Sequence, residues 1–316
     1  MDQKKIIVVF GATGAQGGGV VRAILADSKS DFAVRAVSRD PGSDKAKELA
    51  KMGAEVVAGD IDDLQSLKKV LKGAYGAFFV TFFWAHFSPE TEVANVKKMA
   101  EAAKEAGLKH AIWSTLEDVR NFVPLEDDSI PTLQGKYKVP HFDGKGESNK
   151  YFTDAGVPVT FLHASFYWEN MIYFGMGPKK GADGKLAITF PLGNTKMAGI
   201  ASEDIGKCAY GVFKKGSEYI GKNVGVAGEH LTGDEMAAAL SKALNKEVVY
   251  NEISPDEYRS FEFPGADDLG NMFQFYRDYA EECNNLRSVE VSRKLNPELM
   301  SFKEWLAENT DRIPLE

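Results

Sequence analysis

The sequence predicts an α/β protein, a doubly wound parallel sheet joined to a smaller C-terminal α/β lobe. Three observations predict it. Strand-like and helix-like segments alternate through the first half of the chain. A glycine-rich turn joins the first strand to the first helix. Beyond about residue 163 the rhythm loosens.

Taken in order, Ile6–Phe10 is a continuous apolar, largely β-branched run, the pattern of a strand buried on both faces. Gly17–Leu25 then reads as a helix, Ala33–Ser38 as a strand and Lys45–Met52 as a helix. Glu55–Ala58, Leu64–Leu71 and Ala77–Thr81 repeat the alternation, and Glu90–Ala106 is a long amphipathic helix ended by Gly107. His110–Ser114 and Val159–Leu162 supply the fifth and sixth strands. Between them, Asn121 to Pro140 carries three prolines among polar residues and reads as a surface loop. Further on, Glu203–Lys214, Gly233–Leu244, Gly270–Glu282 and Phe302–Asn309 read as helices, Asn223–Ala227 and Glu247–Ile253 as strands. These segments divide the chain into a domain over 1–162 and a lobe over 163–316, with roughly 200–228 returning to the first sheet.

With 316 residues, 44% of them hydrophobic and 27% charged, the chain can bury an ordinary soluble core. A net charge of −8 argues against nucleic acid as a partner, leaving only a local basic patch around Lys136 and Lys138 to consider. Two distant cysteines, Cys208 and Cys283, suit neither a disulfide framework nor zinc, and the five histidines lie far apart, so no metal is expected. No targeting segment and no bilayer-spanning run is visible, so the expected location is the cytosol, with no membrane partner.

Gly11-Ala12-Thr13-Gly14-Ala15-Gln16-Gly17 lies directly between the first strand and the first helix. In the Rossmann fold such glycines permit the tight turn, admit a pyrophosphate close to the backbone and let helix pack on strand. The second strand ends at Ser38-Arg39-Asp40-Pro41. A guanidinium there suits a 2′-phosphate, so the site reads as one for NADP(H), and Asp40 keeps the NAD reading open. Asp60-Ile61 and Thr81-Phe82-Phe83 fall at later strand ends, the edge where ligands of open parallel sheets collect. Asp60 is a candidate acceptor from the adenine amine or a solvated turn residue. Phe82, Phe83 and Trp84 read foremost as packing under a loop.

These residues, in this order, resemble the NmrA-like family, atypical relatives of the short-chain dehydrogenases. The resemblance includes Val9 to Gly17, His141-Phe142-Asp143-Gly144-Lys145-Gly146-Glu147, Tyr167-Trp168-Glu169-Asn170, and Phe263 to Leu269 with Asn271-Met272-Phe273. The second and last of these blocks are most similar to animal members described as NADPH sensors. The resemblance implies dinucleotide contacts at Gly11 to Gln16, at Arg39, Asp40, Pro41, Gly42 and Ser43, at Asp60-Ile61, at Thr81 to Phe83, at Lys145, and at Tyr167, Trp168, Glu169 and Asn170.

Dehydrogenases of the wider group use a Tyr-x-x-x-Lys pair on one helix face, with a serine on the preceding strand. Here Ser114 and Lys145 match the outer positions, but His141 stands four residues before Lys145, where the tyrosine belongs. His141 is therefore a general acid, a polar wall of the nicotinamide pocket, or a solvated residue after Pro140. Lys145 reads as a ligand of the nicotinamide ribose. The literal Tyr210-x-x-x-Lys214 falls outside the catalytic helix and reads as coincidence, and His163, where many relatives carry arginine, as a buried strand-end residue paired with backbone. An intact cofactor site with an incomplete proton-transfer set favours an NADP(H)-binding regulator or redox sensor, with a regulatory protein as partner, self-association open and nuclear entry open. The competing expectation is an NADPH-dependent reductase of a small hydrophobic carbonyl, quinone or imine, with Phe166-Tyr167-Trp168 lining its pocket.

Overall fold

Alternate side chains of the first strand feed two cores, and this two-sided burial sets the layers of the molecule. Ile7 and Val9 face one helical layer, Val8 and Phe10 the other, and all four are at most 1% exposed. The computed structural model describes residues 4–181 and 184–315. Along the chain run β1 (Lys5–Val9), α1 (Ala15–Ala26), β2 (Phe32–Ser38), α2 (Asp44–Lys51), β3 (Glu55–Ala58), α3 (Leu64–Leu71) and β4 (Gly76–Phe79). Next come α4 (Pro89–Ala106), β5 (His110–Thr115), α5 (Pro140–Asp154) and β6 (Val159–His163). The remainder holds β7 (Phe166–Tyr167), α6 (Asn170–Tyr173), β8 (Lys179–Lys180), β9 (Leu186–Phe190), β10 (Met197–Ile200), α7 (Ser202–Lys215) and β11 (Asn223–Gly225). It ends with β12 (Glu229–Leu231), α8 (Gly233–Leu244), β13 (Val248–Glu252), α9 (Pro255–Arg259), α10 (Ala266–Asp278), α11 (Ala280–Leu286), α12 (Val289–Leu295) and α13 (Phe302–Asn309).

The main sheet has seven parallel strands in the order β11-β6-β5-β4-β1-β2-β3. The order reverses between β1 and β4, so the crevice at that reversal opens at the strand C-termini. The late strand β11 pairs with β6, and α7 packs on α1 through glycine: a Cβ on Gly206 would stand 2.3 Å from Gly19. Two three-stranded sheets, β12-β10-β7 and β13-β9-β8, belong to the second lobe. Its core gathers Trp168, Phe190, Phe273, Phe275 and Trp305.

Two expectations need correction. The segment 121–140 is only half a surface loop: Val123, Ile130, Tyr137 and Val139 are buried. Lys138 is buried within it as well. Its ammonium is buried and donates to the carbonyls of Asp127 (2.6 Å), Ile130 (2.8 Å) and Leu125 (3.4 Å), which fixes the loop from within. The helix expected over Gly270–Glu282 starts earlier and splits at Tyr279, whose backbone (φ −119°, ψ 37°) leaves the helical region.

Candidate functional site

Every parallel strand from β1 to β6 delivers its C-terminal end to the same edge, and the residues singled out in the sequence follow those ends. Gly11 adopts φ +61°, a left-handed turn that glycine enters without penalty. Gly17 is required for a different reason, because a Cβ there would lie 2.4 Å from the Gly11 carbonyl oxygen. Gly14, at the N-cap of α1, is exposed, and its Cβ would meet only that same oxygen at 3.2 Å. The free backbone at the mouth of α1 is thus open to an anion.

At the end of β2 the two competing residues are sorted by their partners. The Asp40 carboxylate accepts from the Gly42 backbone N–H at 2.8 Å, while the Asp40 carbonyl accepts from Ser38 and Ser43. Ser43 in turn caps α2 through Ala46. Arg39 is exposed and has no hydrogen-bond partner among the described residues. Asp60 is likewise in a turn of its own, accepting from Asp62 N–H at 3.0 Å. Of the aromatics after β4, Phe83 is buried as expected, but Phe82 is 58% exposed.

Beneath this edge lies a buried polar cluster centred on Lys145, which is no surface lysine. Its ammonium donates to Thr81 Oγ1 and Glu92 Oε1, Thr81 donates to Glu92, and the charge sits 5.0 Å over the Trp113 ring. His86 Nε2 lies 3.5 Å from the other Glu92 oxygen. Burial pushes the Glu92 carboxyl up, but the Lys145 ammonium, the nearby His86 and the hydrogen bonds from Lys145 and Thr81 prevail and hold it at about 2. The sequence reading missed Glu92. The signal for it was a carboxylate on the buried face of α4, in line with Asn95, Val96 and Met99.

A hydrogen-bonded chain spans the two lobes. Ser114 donates to Gln16 Oε1 at 2.7 Å, and Gln16 Nε2 donates to the Tyr167 hydroxyl. Burial above all raises the Tyr167 phenol to about 12, so it remains protonated. The neighbours of Tyr167 are otherwise engaged. Trp168 and Phe166 are buried in the second core. Glu169 accepts from Ser202 N–H (2.9 Å) and Trp305 Nε1–H (3.1 Å).

His141 occupies the first turn of α5 and is buried, which removes the solvated-loop reading. Its backbone N–H and Nδ1 both meet the Asp268 carboxylate, at 3.1 and 2.6 Å. Asp268 was also missed as a partner, because it comes from α10, 127 positions later. Tyr210 hydrogen-bonds Asp27 at 2.8 Å at the end of α1 remote from the glycine loop. His163 is paired with side chains rather than backbone: Nε2 meets Asn223 Oδ1 at 3.0 Å, and Nδ1 lies 3.8 Å from Glu117. Among the described residues no group of His, Cys, Asp and Glu has the arrangement of a metal site, and both cysteines are buried and free.

The profile of the NmrA-like family matches residues 3–306. The chain belongs to the NmrA-like family. It is 29% identical over 313 residues to an NmrA-like family domain-containing protein of Dictyostelium discoideum, covering 96% of this chain and 97% of that one. An NmrA-like family domain-containing oxidoreductase of Aspergillus flavus is 25% identical over 97% of this chain and 98% of its own. Among solved structures, NmrA, a negative transcriptional regulator, superposes with a TM-score of 0.78 at 24% identity, over 97% of this chain and 95% of that chain. The triphenylmethane reductase of Citrobacter sp. superposes with a TM-score of 0.74 at 21% identity, over 97% of this chain and 99% of that chain. Both likenesses are of fold, and no helix among the described residues is long and apolar enough to cross a membrane.

Proposed function

We propose that this NmrA-like protein binds NADP(H) at the crevice between β1 and β4 and acts as a regulator whose conformation follows the nucleotide. The Gln16 bridge carries the reading. A residue of the glycine-rich turn holds Ser114 in the first lobe and Tyr167 in the second, so an anion drawn to that turn competes with the contact joining the lobes. A ligand shifts a conformation only if it binds the two states differently, and this bridge supplies the difference. Gly14 leaves room for a pyrophosphate, unpartnered Arg39 suits a 2′-phosphate, and the occupied Asp40 carboxylate is poorly placed to hold a ribose. Solved NmrA structures described as complexes with NADP and with NAD, and a triphenylmethane reductase complexed with NADP(H), support a dinucleotide in this family's fold. A reduced nicotinamide would supply hydride when bound; the chain's own Lys145, held by Thr81 and Glu92, would turn its remaining N–H toward a ribose.

The test is calorimetry with NADP+, NADPH, NAD+ and NADH, paired with hydrogen exchange over residues 167–170. NADPH should bind at least tenfold tighter than NADH and raise exchange in that segment. Gln16→Leu should show the raised exchange without nucleotide. Unchanged exchange in both experiments would remove the regulatory reading while leaving cofactor binding to the calorimetry.

A second reading, reductase, is favoured by one observation, the His141–Asp268 pair beside this crevice. It expects NADPH oxidation with at least one quinone, aldehyde or imine, and a fall of roughly a hundredfold in His141→Ala if the imidazole is the acid. The family name of the Aspergillus flavus relative, an oxidoreductase, is in keeping with it.

A further inference from the structure

The opposite edge of the main sheet holds a cleft of its own. It lies where the neighbouring strands β4, β1 and β2 begin and where α7 ends, a full strand length from the glycine-rich turn. Its volume is about 330 Å³, enough for a small organic molecule. Its floor is aromatic: the Phe32 ring centroid stands 6.0, 6.4 and 6.2 Å from those of Tyr75, Tyr210 and Phe213.

Three exposed lysines, Lys5, Lys29 and Lys214, stand over that floor. The Lys5 ammonium lies 4.8 Å from the centre of the Tyr75 ring, and that of Lys214 lies 4.5 Å from the centre of the Tyr210 ring. None of the three ammonium groups has a carboxylate partner or a hydrogen-bond acceptor among the described residues. Lys136 and Lys196, on other faces, are paired with Glu90 and Glu235. The literal Tyr210-x-x-x-Lys214 acquires a role here that is not proton transfer: its ring holds the Lys214 ammonium over the cleft.

Two carboxylates share the cleft, and they differ. Asp27 is occupied, accepting from the Tyr210 hydroxyl at 2.8 Å and from the Lys29 backbone N–H at 3.0 Å. Those bonds, with the Lys214 and Lys29 charges nearby, hold it below the usual carboxylate range. Asp31 is exposed, and its carboxylate has no partner among the described residues. Three ammonium groups, each with several free N–H donors, suit a tetrahedral anion whose oxygens face several ways, and a planar carboxylate serves them less well. Asp31 repels a second anionic group but accepts readily from a hydroxyl. The cleft is also larger than a bare phosphate ion fills.

We propose that this cleft binds a small phosphate monoester bearing hydroxyl groups, its phosphate held by Lys5, Lys29 and Lys214 and one hydroxyl donating to Asp31. The site goes beyond both functional readings above and depends on neither.

Calorimetry at fixed ionic strength, on the full chain without nucleotide, tests it with glucose 6-phosphate, inorganic phosphate and glucose. Glucose 6-phosphate should bind roughly fivefold to tenfold tighter than phosphate, the yield of one hydrogen bond to an exposed charged group. Glucose should bind at least about tenfold more weakly than either, having no charge for the lysines. Lys214→Gln should weaken the ester and phosphate alike, by roughly threefold to tenfold. Asp31→Ala should bring the ester and phosphate to equal affinity. Both changes fall on exposed side chains, so the fold should persist. Gly14→Val should keep glucose 6-phosphate binding, and saturating NADPH should not displace it. No binding, equal affinity for the ester and phosphate in the wild type, or unchanged affinity in Lys214→Gln would overturn the proposal. So would loss of binding in Gly14→Val or displacement by NADPH, which would place the phosphate at the glycine-rich turn instead.

Discussion

Arg39 and Asp40 stand side by side, yet only one of them is free to meet a ligand, and that difference is testable as charge. Arg39→Asp should weaken NADP(H) by roughly tenfold to a hundredfold, the 1.5–3 kcal/mol of a charge-assisted hydrogen bond, and leave NAD(H) nearly unchanged. Equal losses for both would show that Arg39 does not read the 2′-phosphate. A second residue-scale prediction concerns His110. It is fully buried, its Nε2 is 2.9 Å from Thr160 Oγ1, and its Nδ1 has no partner. Burial lowers its pKa from 6.5 to about 4. Below pH 6.5 the unfolded chain takes up a proton that the folded chain refuses. The stability present above that pH is therefore lost as pH falls toward 4, on the order of 3 kcal/mol in all. His110→Gln should flatten the pH dependence of urea unfolding between those limits, and an unaltered profile would assign the acid sensitivity elsewhere. Lys145 shows why such effects need separating. Lys145→Ala removes a donor near the crevice but also strands the Glu92 carboxylate, so a loss of about 3–5 kcal/mol of stability should accompany any loss of affinity. Thermal melts of Lys145→Ala beside the less stranding Lys145→Ala/Glu92→Gln check it.

At the scale of elements, the turn from β1 to α1 uses its glycines unequally, and substitution should separate their roles. Gly14→Val should keep the fold and abolish dinucleotide binding, because its Cβ meets one atom, the Gly11 carbonyl oxygen at 3.2 Å, a contact relieved by a shift of a few tenths of an ångström, while the branched side chain fills the space a pyrophosphate needs. Gly17→Val should fail one step earlier, since its Cβ would collide with the backbone of Gly11 and Phe10. Circular dichroism melts and nucleotide titration distinguish the two, and a Gly14→Val protein with normal affinity would move the cofactor elsewhere. This turn was legible in the sequence because its signal is local: glycines at fixed spacing between a β-branched run and a helix. The β1 to β6 alternation was legible for the same reason. What stayed hidden depends on distance. Short strands such as β7 and β12 gain their partners from β10 and have little periodicity of their own. Asp268 lies in a block whose resemblance was noticed, but nothing local says that it caps the first turn of α5 across the lobes. The buried half of the 121–140 segment is hidden likewise, since Lys138 is satisfied by carbonyls that only the folded loop brings together.

On the scale of the whole molecule, the lobes are joined by a charge pair that neither contains alone. Arg287, at the end of α11, donates through both Nη atoms to Glu117 after β5, with Nη2–Oε2 at 2.7 Å, and through Nε to the Ala164 carbonyl at 2.9 Å. Its guanidinium lies 5.6 Å from the Tyr276 ring centroid, and its carbonyl accepts from His230. Burial alone would raise the Glu117 carboxyl, but Arg287 and then His163 hold it far below the usual carboxylate range. A buried pair of this kind contributes little against an apolar replacement, yet removing one partner leaves the other charge without compensation. Arg287→Met should therefore cost about 3–5 kcal/mol, and Glu117→Leu/Arg287→Met should cost clearly less than the sum of the single changes. The strand β11 and the helix α7 enter the first lobe from the far half of the chain, so the lobes share backbone as well as charge. Unfolding in urea should then remain one transition in both variants, with an unchanged slope and coincident loss of exchange protection in β5 and α10. Two separated transitions in Arg287→Met would show that the lobes fold independently and that the pair alone held them in step. Strict additivity of the two substitutions would show that Glu117 and Arg287 do not act as a pair.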